Sequence, residues 1–242
     1  MELINLPIVR GLEKDTHLYN ILLEIDKRDG VVCGGFARYC AADKIIENED
    51  FDVDIYPSDQ NSYEIITGYL LTNRKKINWY GQFREGSPKY LTAKNVYSGR
   101  LLTSINLSPM REWTKLQIIG MFGAPEEIIN TFDFSICQAY LDLKNFCIKV
   151  VPNFIKSEQN RVIELTNLQI PEVKEYKNGN MFLHRFSKYK EKGYRIPAEV
   201  IIESLKGVES EHWGSYLKNI SNYIDENDNK RFIQFIGNLQ HL

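Results

Sequence analysis

Residues 31–57 read VVCGGFARYCAADKIIENEDFDVDIYP. Val31-Val32-Cys33 is a short apolar run suited to a buried strand. Gly34-Gly35 breaks it, and Phe36 to Asp43 then suits a short helix. Phe51 to Tyr56 alternates apolar and acidic residues, as a half-buried strand does. Successive side chains of a strand point to opposite faces, so Asp52 and Asp54 share one face, about 7 Å apart along the backbone. Phe51, Val53 and Ile55 share the other face and can enter a core. Two neighbouring carboxylates repel each other when ionised, and a divalent cation relieves that repulsion. Mg²⁺ (or Mn²⁺) takes hard oxygen ligands, typically carboxylates, water and substrate phosphates. Gly34 and Gly35 let backbone amides approach phosphate oxygens with no Cβ in the way. The following helix start favours negative charge, and Arg38 stands in its first turns.

A third carboxylate is expected farther on. In NTFDFSICQAYLDL (130–143), Phe132, Phe134 and Ile136 alternate with Asp133, Ser135 and Cys137. The pattern predicts an extended segment over 132–143, which could turn helical midway, with Asp133 projecting from a half-buried strand as metal ligand and as base toward a nucleophile or its orienter. Asp142 is the weaker rival. Asp-x-Asp alone, or Gly-Gly alone, is as readily an exposed strand face or a plain turn; their order on the chain carries the reading.

Around this centre the spacing predicts helices over 16–27, 61–72 and from Pro125-Glu126-Glu127, and extended segments over 77–83, 90–97, 101–107, 114–121 and 146–151. Pro152 and beyond shifts to helical patterns, expected at 180–192, 197–206, 211–225 and 229–239. The fold class expected is α/β (α+β), a mixed sheet with flanking helices over residues 1–152. A small helical C-terminal region occupies 153–242. On the helix near His184, Arg185, Lys188 and Lys192 form one basic stripe, placed to face a triphosphate or an acceptor. Phe182, Phe186 and Tyr189 form the neighbouring apolar stripe, and Tyr189 could also stack on a base. A solvated basic face beside a core face explains the same pattern.

Composition narrows the classes. The 242 residues carry a formal net charge of −2, so any nucleic-acid contact must be a local patch. No apolar run approaches the ~20 residues of a membrane span, and Met1–Asp15 has neither the basic nor the apolar region of a secretory signal. Cys33, Cys40, Cys137 and Cys147 form no C-x-x-C pair. That argues against structural zinc and disulfides, and fits buried thiols in a cytoplasmic protein.

The order Gly-Gly, Asp-x-Asp, distant Asp resembles the polymerase β-type nucleotidyltransferases. GGFARYCAADK…DFDVDIYP is similar to the head-domain motif of tRNA nucleotidyltransferases and poly(A) polymerases. LQIIGMFGAPEEIINTFDFSICQAYLD and MFLHRFSKYKEKGYRIPAE resemble phage-encoded proteins of the same superfamily, which would place the chain in a host cytoplasm or a virion. The resemblance covers pieces of residues 30–200. It departs from CCA-adding enzymes where Tyr39, not aspartate, follows Arg38. It implies Mg²⁺-dependent transfer of a nucleoside monophosphate from a nucleoside triphosphate to an acceptor hydroxyl, with RNA or tRNA among the acceptors. Two rivals share the sequence pattern: a scaffold that kept the fold without activity, as a virion or complex component, and a nucleotidylating toxin.

Overall fold

The computed structural model describes residues 2–41, 52–73, 84–85, 91–92, 101–106, 115–166 and 179–223. The chain divides into two units: residues 1–132 with 136–155, and residues 133–135 with 156–242. The expected division drew one line, at residue 152. The chain crosses between units three times, after Phe132, Ser135 and Ile155.

The first unit is built on an eight-stranded mixed sheet. Its strands are β1 (Ile4–Pro7), β2 (Gly30–Cys33), β3 (Asp52–Pro57), β4 (Arg84–Glu85), β6 (Leu101–Asn106), β7 (Lys115–Ile119), β9 (Ala139–Asp142) and β10 (Cys147–Val150). Their order is β1-β10-β9-β2-β3-β7-β6-β4. Among the described residues of this sheet, β3 and β7 pair parallel and the other pairs are antiparallel. β5 (Leu91–Thr92) and β8 (Met121–Phe122) form a separate parallel pair.

Alternation decides which face is dry. Val32, Val53, Ile55, Leu116, Ile118, Ile148 and Val150 are all buried. Helices α1 (His17–Asp26) and α3 (Gln60–Thr72) cover this face, bringing Leu22, Ile25, Ile66 and Leu70 into the core. Gly30 marks how close they come: a Cβ there would meet Ile66 Cδ1 at 2.6 Å and Ile25 Cγ2 at 2.7 Å. Side-chain caps start both helices. Thr16 Oγ1 accepts from the Tyr19 amide at 3.3 Å, and Asp59 Oδ1 from the Ser62 amide at 2.8 Å.

Helix α2 (Gly35–Ala41) follows β2 directly, and α4 (Pro125–Ile129) packs on β2 and β9. Helix α5 (Pro152–Asn160) begins in the first unit and continues into the second. The second unit adds α6 (Asn180–Glu191), α7 (Ala198–Ser204) and α8 (Trp213–Ile220), with an apolar centre of Phe134, Phe182, Phe186, Tyr189 and Tyr194. Among the described residues no helix is long and apolar enough to cross a membrane.

Three expectations need correction or restriction. Residues 132–143 take the alternative of a helical turn midway rather than one strand: Asp133 lies in a bend, Phe134 makes an isolated bridge to Leu165, and Ser135–Cys137 is a 3₁₀ turn before β9. The bend and turn bury Phe134 and Ile136, which is what the alternation had read as a strand. The extended segment expected at 77–83 and the helix expected at 229–239 lie outside the described residues.

Candidate active site

The Gly-Gly/Asp-x-Asp region is one surface of the first unit. β2 and β3 pair antiparallel with Cys33 opposite Asp54 and Val31 opposite Tyr56. Asp52 and Asp54 therefore stand on the face opposite the dry core, and both are half-buried. The expected geometry of the pair is realised because Val53 and Ile55, fully buried, fix the strand's facing. Tyr56, on the acidic face, is covered by Phe132, their ring centroids 5.8 Å apart.

Gly34 closes β2. Its φ is 78°, in the left-handed region that glycine enters without steric cost. Its amide donates to the Ala139 carbonyl at 2.8 Å, and its carbonyl accepts from the Arg38 amide at 2.9 Å, so α2 begins at once. A Cβ on Gly35 would meet nothing within 4 Å, so space is open beside this backbone. Arg38 is only 1% exposed. Its guanidinium is a fixed charge inside the unit, not a surface hand.

Burial, then the charges of Asp54 and Glu126, push the Cys33 thiol well above its usual range. That keeps the sulfur protonated and inert. Glu126 was read from the sequence only as a first-turn acid of α4. In the structure its Oε1 accepts a hydrogen bond from the Tyr140 hydroxyl at 2.6 Å. Burial, followed by that bond, drives the Tyr140 phenol far upward, so it stays a donor. The neighbouring Glu127 carboxylate accepts from the Ala124 amide at 3.1 Å and caps the helix.

The remaining predicted residues lie in the second unit. Asp133 Oδ1 accepts from Arg185 Nη1 in an ion pair, the two side chains 13% and 34% exposed. The Arg185 guanidinium also stands 5.9 Å over the Phe134 ring. Tyr189 is buried, edge-on to both Phe134 and Tyr194, so its ring does packing work and is closed to base stacking. Lys188 is exposed and Lys192 half-buried, the Lys192 carbonyl accepting from Arg161 Nη2 at 2.7 Å. Tyr194, in the Lys-Gly-Tyr turn, lies under the Arg161 guanidinium and donates to Glu158. That turn is a structural clamp.

Elsewhere in this unit, ligand atoms of Glu209, Glu211 and His212 lie within 4.8 Å of one another at the surface. His212 Nε2 is 3.3 Å from Glu211 Oε1, a contact that accounts for part of the cluster.

Residues 9–161, more than half of the chain, match the family described as Gabija anti-defense 2. The chain belongs to the Gabija anti-defense 2 family. The matched stretch contains the Gly-Gly turn, Asp52, Asp54, Glu126, Asp133 and Tyr140. No curated protein matches the sequence. Among solved structures, a Thermotoga maritima CCA-adding enzyme complexed with tRNA is similar at a TM-score of 0.55 and 14% identity, over 99% of this chain and 55% of that one. A CCA-adding enzyme with ATP gives 0.53 and 15%, over 93% and 51%. One with CTP gives 0.52 and 14%, over 94% and 50%. This Gabija anti-defense 2 chain thus has a nucleotidyltransferase fold and spans about half the length of the enzymes it resembles.

Proposed function

We propose that this protein is a metal-dependent nucleotidyltransferase that moves a nucleoside monophosphate from a nucleoside triphosphate to an acceptor hydroxyl. The observation that carries the reading is the placement of Asp52 and Asp54. They are half-buried on one face of β3, opposite the end of β2 where Gly34-Gly35 opens. Asp-x-Asp beside a glycine turn, on a fold shared with enzymes solved with ATP and CTP, supports triphosphate as substrate.

The donor set suits Mg²⁺ or Mn²⁺: two carboxylates on one strand face, the hard oxygen ligands such an ion takes beside water and phosphate. Such an ion would supply positive charge against the phosphates and the departing pyrophosphate. Asp52 and Asp54 would hold it, and the backbone at Gly34 and Gly35 would bind phosphate oxygens. Arg38 adds fixed positive charge from inside α2. The acceptor oxygen forms a bond to the α-phosphorus as the bond to the bridging oxygen breaks, and the hydroxyl proton leaves to a base. Arg185, Lys188 and Lys192 offer positive charge to an anionic substrate such as RNA or tRNA, with Asp133 orienting Arg185. Membership of an anti-defense family supports a target within a bacterial defence system.

The test is incubation of the protein with each α-labelled triphosphate, Mg²⁺ and total cellular RNA and protein. Label should enter one acceptor class and be lost in Asp54→Asn. An Asp54→Asn variant that labels like wild type overturns the assignment.

A further inference from the structure

Gly34 and Gly35 leave a space beside the end of β2, and an aromatic ring walls it. Among the described residues, a Cβ on Gly35 would meet nothing within 4 Å. One on Gly34 would meet only the Phe132 ring, with Cε2 at 3.6 Å and Cζ at 3.9 Å. These are ordinary van der Waals distances, so the ring lies along the turn without crowding it. The ring also packs on Tyr56, centroid to centroid 5.8 Å at an interplanar angle of 53°. Tyr56 stands two residues beyond Asp54 on β3 and shares its face. The Phe132 amide donates to the Ile129 carbonyl at 3.2 Å, which fixes the backbone that carries the ring. Phe132 is thus held on the acidic face, against both the glycine turn and the strand of Asp52 and Asp54.

We propose that Phe132 is the residue on which the nucleobase of the bound triphosphate stacks. This rests on the function proposed above. The chemistry of the wall is the telling feature. A phosphate gains from cations and amide donors, and an aromatic ring offers it neither. A base gains from a flat apolar face. Tyr56 is buried and Phe132 only half-buried, so Tyr56 supports one side of the ring while part of it stays accessible. A ring fixed in advance loses little freedom when a ligand settles on it. Packing on Tyr56 needs an apolar side chain but not a ring. Every base has a π-face, so this contact grips nucleoside triphosphates with little choice among them. Selection of one base falls to other groups.

The experiment is calorimetric titration of the whole chain, in Mg²⁺, with each nucleoside triphosphate and with inorganic tripolyphosphate, which carries phosphates and no base. Phe132→Leu keeps an apolar cover on Tyr56 and removes the ring. It should weaken nucleoside triphosphates by about five- to a hundredfold, the range for loss of one base–aromatic stack, and leave tripolyphosphate within about twofold. Phe132→Tyr keeps the ring and should bind both as wild type. Phe132→Trp guards against misfolding of the leucine variant: its added indole should lose fluorescence with nucleoside triphosphate and not with tripolyphosphate. Three results overturn this inference alone: wild-type nucleotide affinity in Phe132→Leu, equal loss of both ligands in it, or a Phe132→Trp fluorescence that ignores nucleotide. Failure of the wild-type protein to bind any nucleoside triphosphate overturns the proposed function as well.

Discussion

Arg185 on α6 pairs with the carboxylate of Asp133, the residue that begins the three-residue piece of chain contributed to the second unit from before β9. The same piece is tied by the Thr166 amide, which donates to the Asp133 carbonyl at 2.8 Å, and by the Phe134–Leu165 bridge. Asp133 is thus an anchor of this unit. Asp133→Asn should lower unfolding stability by about 2 kcal/mol, the worth of a charged hydrogen bond with one partner left half-buried. Its Mg²⁺ dependence should match wild type. Urea denaturation and a Mg²⁺ titration check the two parts, and a large shift in Mg²⁺ requirement would return Asp133 to the metal.

The glycine turn separates backbone strain from ligand binding. Gly34→Ala forces alanine to φ 78°, at a cost of about 1–2 kcal/mol. Gly35→Ala adds a methyl into open space, so the thermal midpoint should hold or rise slightly. If phosphate sits against this backbone, the same methyl should raise the KM for triphosphate roughly tenfold, about the loss of one charged hydrogen bond. An unchanged KM would remove Gly35 from the site.

Acid should loosen α3. Hydrogen bonds from the Ser62 amide and then its hydroxyl hold the Asp59 carboxyl below the ordinary aspartate value. A depressed folded value means the stabilisation is fully present above the unfolded value, about pH 4, and is lost as pH falls through the folded one. Asp59→Asn keeps a capping oxygen that does not titrate. Its unfolding midpoint should therefore fall less than wild type between pH 5 and pH 3, at roughly equal ionic strength. Parallel curves for the two proteins would refute the cap's part in acid sensitivity.

Gly179 ends the approach to α6 at φ 79°, and a Cβ there would lie 2.3 Å from Tyr216 Cδ2. Tyr216 cannot swing away freely, because its hydroxyl meets Ser204 Oγ at 2.6 Å in a buried contact. Gly179→Ala should cost about 2–4 kcal/mol, from backbone strain and overpacking together. Denaturation followed by tryptophan fluorescence tests this, and a loss under about 1 kcal/mol would mean the Tyr216 ring repacks.

The strands and helices nearest the site were legible because local chemistry specifies them. Val53 and Ile55 between acids fix β3, and Thr16 begins α1. β1 was not legible: four residues ending in a proline carry too little alternation, and β1 is defined by pairing with β10, far along the chain. Asp133 misled because Phe132, Phe134 and Ile136 satisfy a strand pattern while the backbone bends and turns. Tyr189 misled for a related reason: helical spacing shows which side of α6 it occupies, not that Phe134 and Tyr194 close over it. Glu126 escaped notice because its meaning depends on Tyr140, a partner fourteen residues away that only sheet register brings near.

Because Asp133–Ser135 is stitched into the later part of the chain, the two units are not interchangeable cassettes. A fragment cut at residue 152 would take Phe134 away from Phe186 and Tyr189, stripping the downstream part of an aromatic it needs to fill its interior. Gene fusions or domain swaps that splice near that position inherit an incomplete half on both sides. Evolution of one unit is thereby tethered to the other through a three-residue hostage.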